Sequence, residues 1–253
     1  MHGIEQHQLL HAFDLNQRRR PDGHALPSTW VQTPFVTRDH GHVIWQSFYK
    51  SAYPTLIAAE LEIARASGAF DFEWKLYEHD APGGLALALQ AAGFVQQPTE
   101  TLLVRSTDLS SMAPVPGLEI VRVEDLALAT LCHDLGFQAF GYHRDKSPQA
   151  LLERALAGEP FWLGLYEGQA VSMGRLIQTA GSMFAGLYGG ASHPDYRHRG
   201  FYRPVVYARI KAAADLGCQW VFSEALPTSE PILRALGFQA LSKVTGYLYR
   251  FDN

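Results

Sequence analysis

Six consecutive residues, Arg197-His198-Arg199-Gly200-Phe201-Tyr202, have the types and spacing that bind an anion. They follow an apolar, glycine-rich run (184–192) and precede a run with helical apolar periodicity (205–216), which predicts a strand, a basic turn and a helix. The first amides of a helix lack partners within it, and the helix dipole favours negative charge there. Gly200 would let the backbone approach a phosphate closely. An ordinary surface turn is the alternative.

The residues around this turn resemble the GNAT superfamily of acyl-CoA-dependent N-acyltransferases. The signature of that family is Gln/Arg-x-x-Gly-x-Gly/Ala, entered through a strand that ends in a hydrophobic-x-Pro-x-Tyr motif. Here the entry is Ser192-His193-Pro194-Asp195-Tyr196, with Arg197 and Gly200 at the first and central signature positions. Tyr202 stands where Gly or Ala is usual, and Ser192 where an apolar residue is usual. The resemblance covers residues 117–253.

The resemblance implies acetyl-CoA as the co-substrate. In the family two strands, the fourth and fifth, splay apart and hold the pantetheine arm, and the amides after them cradle the pyrophosphate. The residues expected to bind the coenzyme are therefore Ala191, Ser192, His193, Arg197, His198, Arg199, Gly200, Phe201 and Tyr202. Arg203 is a further source of positive charge, and solvated surface charge is the alternative for all these arginines.

Acyl transfer to an amine needs a base for the amine and a proton for the departing thiolate. Glu224, at the end of a predicted strand, is the first candidate base, and Tyr188 is the second candidate for proton transfer. An exposed carboxylate and a packed aromatic ring are the respective alternatives. Many GNAT enzymes protonate the thiolate with a tyrosine at the position that Leu233 occupies here.

The acceptor is expected to contact the loop between the first two helices of the C-terminal half and the strands behind it. The resemblance points to Tyr142 and His143 in that loop, and to Arg175 on a strand, as acceptor contacts. A mobile surface loop, and an arginine paired with a nearby acid, are the alternatives. No metal site is expected, because the pairs His7 with His11 and His40 with His42 lack a visible third ligand.

The chain also repeats itself. Residues 72–77, 85–92 and Gly93-Phe94 form one strand–helix–glycine unit, and 219–224, 231–236 and Gly237-Phe238 form another. We therefore expect an α/β (α+β) fold with two GNAT-like domains, each a mostly antiparallel mixed sheet flanked by helices: residues 1–108, a degenerate copy, and 117–253, the acetyltransferase domain. In the first copy the stretch corresponding to the basic turn, 45–54, has no glycine.

Composition narrows the function classes. The chain has 253 residues, 47% of them hydrophobic. Its net charge is −4, so the overall basic surface that typically binds nucleic acid is not expected. No apolar run is long enough to span a membrane, and the N-terminus lacks the apolar stretch of a signal peptide. With only Cys132 and Cys218, reduced thiols in the cytoplasm are expected.

Taken together, these observations predict an N-acetyltransferase that acts on a primary amine of a small molecule or peptide, by direct transfer in a ternary complex. A homodimer is possible, and no nucleic acid or membrane partner is expected. The alternative is a non-catalytic acyl-CoA-binding or regulatory protein that keeps the turn and has lost the proton donor.

Overall fold

The computed structural model describes residues 5–109, 113–141 and 145–251. These residues form two compact units, one of Met1–Leu103 with Glu224–Asn253 and one of Val104–Ser223. The sequence predicts a division of another kind, into two copies of a repeat at residues 1–108 and 117–253. That division stays a prediction. Within the described part of the chain, no helix has the length and apolarity that crossing a membrane requires.

The first unit is a mixed sheet with helices. Its elements are α1 (Gln6–Gln17), β1 (Trp30–Gln32), β2 (Val36–Asp39), β3 (His42–Gln46), α2 (Tyr53–Ala66), β4 (Asp71–Tyr77), α3 (Leu85–Ala91), β5 (Val95–Gln96), α7 (Glu230–Ala235) and β12 (Gln239–Arg250). The strand order is β1-β2-β3-β4-β12, with β5 also on β12. Only the β3–β4 pair among these is parallel. The C-terminal strand therefore pairs with a strand of the N-terminal half.

The second unit has the same plan. Its elements are β7 (Leu118–Arg122), α4 (Leu126–Phe140), α5 (Pro148–Leu156), β8 (Phe161–Tyr166), β9 (Gln169–Gln178), β10 (Phe184–Ser192) and α6 (Tyr202–Asp215). Two further strands, β6 (Glu100–Ser106) and β11 (Trp220–Ala225), have residues in both units. The order β11-β10-β9-β8-β7 contains one parallel pair, β10–β11. The expected fold class, mostly antiparallel mixed sheets flanked by helices, is confirmed.

Local sequence explains how these elements begin and turn. The Asp125 carboxylate accepts a hydrogen bond of 2.8 Å from the Leu128 amide at the start of α4, and the Ser147 hydroxyl accepts one of 3.2 Å from Ala150 at the start of α5. Between β8 and β9, Glu167 and Gly168 both have positive φ angles, 51° and 77°, as a tight hairpin turn requires. These caps and turns fix the lengths of the elements that carry the site.

The sequence repeat corresponds to a structural repeat. Gly93 after α3 and Gly237 after α7 both lie in the left-handed region, with φ of 96° and 86°. In both, the next amide returns to the helix: Phe94 donates to the Leu89 carbonyl at 3.0 Å, and Phe238 to the Leu233 carbonyl at 3.1 Å. These glycines therefore end their helices as the sequence predicts.

Candidate active site

The basic turn forms where the sequence predicts it, between β10 and α6. Residues Pro194–Tyr196 make a short 3-10 turn, and α6 begins at Tyr202. Between them His198 and Gly200 both lie in the left-handed region, with φ of 62° and 80°. A Cβ placed on Gly200 would have no other atom within 4 Å, so the space above this glycine is open. Residues 197–200 of the turn are thus exposed, with open space at the glycine.

The amides of this turn are available to a ligand. Among the described residues, no acceptor is found for the N–H groups of residues 198–202. Phe201, the residue before α6, has no side-chain cap either. Consecutive unpaired amides at the N-terminus of a helix, with a glycine that leaves room, fit the diphosphate of a coenzyme. The fit agrees with the predicted roles of His198, Arg199, Gly200, Phe201 and Tyr202, which stay predictions.

An aromatic cluster holds the turn in place. The buried Phe201 ring stacks on Tyr166, with ring centroids 4.9 Å apart, and also faces Tyr196 at 6.2 Å. The hydroxyl of Ser172, a fully buried residue of β9, donates a 2.8 Å hydrogen bond to the Phe201 carbonyl oxygen. Sequence reasoning missed Tyr166 and Ser172, because their strand positions carry no signal of a contact with a distant turn.

The arginines of the turn differ in their surroundings. The Arg199 guanidinium lies over three rings, with its Cζ 5.0 Å from the Tyr166 centroid, 5.2 Å from Tyr196 and 4.9 Å from Phe201. Arg197 is exposed, and Arg203 donates to the Tyr207 hydroxyl at 3.4 Å. This contact and the nearby Arg105 lower the pKa of Tyr207. Arg199 is therefore the arginine whose position is fixed by packing.

Strand β10 has an open edge beside the turn. Its parallel pairing with β11 covers Phe184 to Gly186 and then stops, although β10 continues to Ser192. This end of the pairing is compatible with the expected splay of these two strands, which stays a prediction. The His193 amide donates to the Val171 carbonyl at 2.9 Å, and Ser192 lies opposite Ser172 in the antiparallel pair with β9. By the alternation of such pairs, the polar backbone of Ser192 faces the open edge, whereas that of Ala191 and His193 faces β9.

A bulge interrupts β10 just before this edge. Its register with β9 shifts between Tyr188 and Ala191, and the two residues in the bulge, Gly189 and Gly190, are exposed. Gly189 has a positive φ of 57°. Bulges turn strand amides away from their regular partners and are common beside active sites.

Two predicted residues, Tyr188 and Arg175, lie opposite each other on β10 and β9. The Arg175 guanidinium is 5.5 Å from the Tyr188 ring centroid and pairs with the Glu159 carboxylate at 2.9 Å. Glu159 also meets Arg154, which in turn contacts Asp145 at the end of the predicted acceptor loop. Arg175 is thus part of an ion-pair chain, which favours the structural alternative for it. The predicted Tyr142 and His143 lie outside the described residues.

Glu224, the first candidate base, is held in a buried cluster of the first unit. Its carboxylate accepts hydrogen bonds from the Lys75 ammonium and the Tyr77 hydroxyl, and its side chain is 6% exposed. Burial alone would raise the pKa of Glu224, but the Lys75 charge and these hydrogen bonds outweigh it and lower the pKa below its usual value. A carboxylate with a lowered pKa is a weak base. The role of Glu224 stays a prediction, and these contacts argue against it.

A neighbouring carboxyl group in the first unit titrates near neutral pH. Burial raises the pKa of Glu100 to about 7. The negative charges of Glu224 and Glu73 also raise this pKa, whereas the positive charge of Lys75 lowers it. Sequence reasoning missed Glu100, since its charged neighbours come from distant positions.

In the described chain, residues of metal-ligating type also meet at Asp14, His79 and Asp80. There the Arg18 guanidinium lies 2.8 Å from Asp14 and 2.9 Å from Asp80, as an ion-pair network would place it.

The comparisons with known proteins show similarity at the level of the fold. No protein-family model and no curated protein sequence matches the chain. Among solved structures, a GCN5-related N-acetyltransferase from Kribbella flavida is similar with a TM-score of 0.66 and 16% identity, over 100% of this chain and 98% of that one. A tandem GNAT protein from the clavulanic acid biosynthesis pathway is similar with a TM-score of 0.59 and 13% identity, over 91% of this chain and 81% of that one.

A third structure is a putative acetyltransferase from the GNAT family of Novosphingobium aromaticivorans, with a TM-score of 0.56 and 17% identity over 89% of this chain and 92% of that one. These likenesses extend over both halves of the chain. The chain therefore has the GNAT fold that its sequence motif predicts.

Proposed function

We propose that the chain is an acetyl-CoA-dependent N-acyltransferase that moves an acetyl group to a primary amine of a small molecule or peptide. The observation that carries the proposal is the turn of residues 197–202, where the described residues offer no acceptor for the amides of residues 198–202 and Gly200 leaves open space for a ligand. Two of the similar structures, a GCN5-related N-acetyltransferase and a putative acetyltransferase, support the same reaction class.

The open edge of β10 supports binding of the rest of the coenzyme. A pantetheine arm carries amide groups, and an exposed strand edge binds such groups in the manner of an added strand. Ser192 offers an N–H and a carbonyl there, next to the turn that would hold the diphosphate. An outward N–H of this strand would also stabilise the oxyanion that forms when an amine attacks the thioester carbonyl.

The acceptor amine must lose a proton, because a free alkylamine has a pKa of about 10.4. Tyr188, on β10 just before the bulge, is the candidate in the second unit for moving that proton, through water. Its ring lies edge-on to Phe222, with centroids 5.9 Å apart, which fixes its direction.

The cysteines support direct transfer rather than a covalent acyl-enzyme. Cys132 and Cys218 are the only cysteines of the chain, and both are buried. Burial raises the pKa of the Cys132 thiol to about 12, and it raises that of Cys218 as well. A buried thiol that stays protonated is a poor nucleophile. We therefore propose that the acetyl group passes directly to the amine within a ternary complex.

A second function has one observation in its favour. Leu233, at the position where many GNAT enzymes have a proton-donating tyrosine, is 4% exposed and part of the apolar interior. A protein that binds acyl-CoA as a regulatory signal needs no proton donor, so a non-catalytic role accounts for this residue directly.

The two functions separate experimentally. Calorimetric titration with acetyl-CoA should give one site per chain under either proposal. A thiol-release assay over a library of primary amines should then give turnover above acetyl-CoA hydrolysis for at least one acceptor if the chain is an enzyme. Binding without turnover for any amine would favour the regulatory function, and absence of binding would contradict both.

A further inference from the structure

A buried arginine that has no carboxylate partner among the described residues lies beneath the bulge of β10. Arg209, on α6, is 0% exposed. Among the described residues, no carboxylate lies within ion-pair distance of it. Its guanidinium donates to the carbonyl oxygens of Val205 at 3.2 Å, Arg175 at 3.3 Å and Tyr188 at 3.4 Å, and to the Tyr202 hydroxyl at 3.2 Å. A guanidinium stays charged in a protein, and burying it without a counter-charge costs free energy.

Two glycines make room for this arrangement. A Cβ on Gly174 of β9 would lie 2.4 Å from the Arg209 Cζ, and a Cβ on Gly190 in the bulge would lie 2.0 Å from the Tyr202 hydroxyl oxygen. Any side chain at either position would collide with the pair. The pair therefore occupies a built space against the exposed part of β10, on the side of the sheet that α6 covers.

The Tyr202 hydroxyl can donate one further hydrogen bond. Its oxygen accepts the hydrogen bond from Arg209, so its own proton points elsewhere, and no acceptor for it is found in the described part of the chain. The side chain is only partly buried. A neutral donor that is polarised by a buried cation, next to a strand edge, is suited to stabilise negative charge on a ligand.

We propose that Tyr202 donates a proton to the sulfur of coenzyme A and that Arg209 positions and polarises it. This inference rests on the proposed acyl transfer. The amine nitrogen forms a bond to the thioester carbonyl carbon, and the C–S bond then breaks with its electron pair on sulfur. Sulfur takes the Tyr202 proton, the proton that the amine lost returns to the Tyr202 oxygen through water, and the products are an amide and a free thiol.

Other charges near the bulge have different positions. The Arg175 side chain lies on the opposite face and pairs with Glu159, while Arg203 contacts Tyr207. Arg197, His198 and Arg199 belong to the turn that would hold the diphosphate. A Tyr202→Phe variant keeps all of these charges and Arg209, and removes only the donating hydroxyl.

The test titrates the thiol of bound coenzyme A, which needs no acceptor amine. A free thiol has a pKa of about 8.5, and the ultraviolet absorbance of the thiolate reports its ionisation. We expect binding to wild-type protein to lower the pKa of this thiol by about one unit or more, a tenfold rise in the ratio of thiolate to thiol. Tyr202→Phe should return that pKa close to the free value. Tyr207→Phe, five residues further along α6, should keep the lowered value.

The outcomes distinguish this inference from the function on which it rests. If wild-type protein binds coenzyme A with an unshifted thiol pKa, or if Tyr202→Phe keeps the full shift, the inference is overturned and the coenzyme site stands. If calorimetry finds no binding of coenzyme A, the proposed function fails and the inference with it. Arg209→Met serves as a second variant, and in folded protein it should reduce the shift as well.

Discussion

The Ser172 hydroxyl donates a 2.8 Å hydrogen bond to the Phe201 carbonyl oxygen, inside the protein and between two residues far apart in sequence. This bond joins β9 to the residue just before α6. A Cβ on Gly164 of β8 would lie 2.4 Å from the Ser172 oxygen, so the neighbouring strand leaves room for the hydroxyl. The coenzyme turn is thus anchored from beneath by the sheet.

Ser172→Ala should loosen the turn. The substitution leaves the buried Phe201 carbonyl without its donor, which should cost about 1–3 kcal/mol of unfolding free energy. Urea denaturation measures this change, and calorimetry should show weaker acetyl-CoA binding. Thr130→Ala, at an exposed position of α4, is the control and should stay within about 0.5 kcal/mol of wild type. Equal stability of both variants would show that the bond does not anchor the turn.

Gly200→Glu should abolish coenzyme binding. The new side chain would enter the open space of the turn and bring a negative charge toward the diphosphate. The control is Gly181→Glu in the turn between β9 and β10, where the φ of 68° is similarly left-handed and the space is also open. Both variants place a side chain on left-handed backbone in open space, so a calorimetric loss confined to Gly200→Glu is expected. Equal losses in the two variants would argue against this site.

Arg199→Lys should weaken acetyl-CoA binding although it keeps the charge. A lysine cannot place a planar guanidinium over Tyr166, Tyr196 and Phe201, so the fixed position of the cation is lost. We expect the Kd to rise about threefold to fivefold, from a cation–π contribution of about 0.5–1 kcal/mol at an exposed site. Arg197→Lys, at an exposed arginine that lies over no aromatic ring of the described residues, should change the Kd little. The opposite ranking of the two variants would be incompatible with this account.

Glu100→Gln should change the pH dependence of stability. The pKa of Glu100 is raised from 4.5 to about 7, so between these values the folded protein keeps a proton that the unfolded chain has lost. The free energy of unfolding therefore falls as pH rises through this window. Glutamine removes the effect, and the variant should gain on the order of 2 kcal/mol over wild type at pH 8 and little near pH 4.

Thermal unfolding across this pH range measures the difference between the two proteins. Glu119→Gln, at an exposed position of β7, is the matched control and should follow the wild-type curve. A Glu100→Gln curve parallel to wild type at all pH values would mean that this carboxyl group does not carry the raised pKa.

Short-range patterns predicted the fold well in the second half. Helix α5 begins after the N-cap Ser147 with Pro148 in its first turn, and strand β8 coincides with a bounded apolar run, so local sequence accounts for both elements. The pairing of β12 with β4 was not predicted, since strand partners far apart in sequence leave no local mark. Helix α1 was also missed, because its apolar periodicity is short.

The candidate site divides in the same way. The residues of the turn around Gly200 are contiguous, so the sequence alone could predict the turn. The roles of Arg209 and Ser172 could not be predicted, because they depend on which residues the sheet places against these side chains. Glu224 has the residue type of a base, yet Lys75 and Tyr77 from another strand decide its ionisation.

The central claim is that the amides of residues 198–202 bind the diphosphate of coenzyme A. A crystal structure of the protein with acetyl-CoA tests it most directly. We expect density for the diphosphate within hydrogen-bond distance of these amides, and pantetheine along the open edge of β10 at Ser192. Density for the coenzyme in the first unit, with the turn around Gly200 empty, would contradict the account.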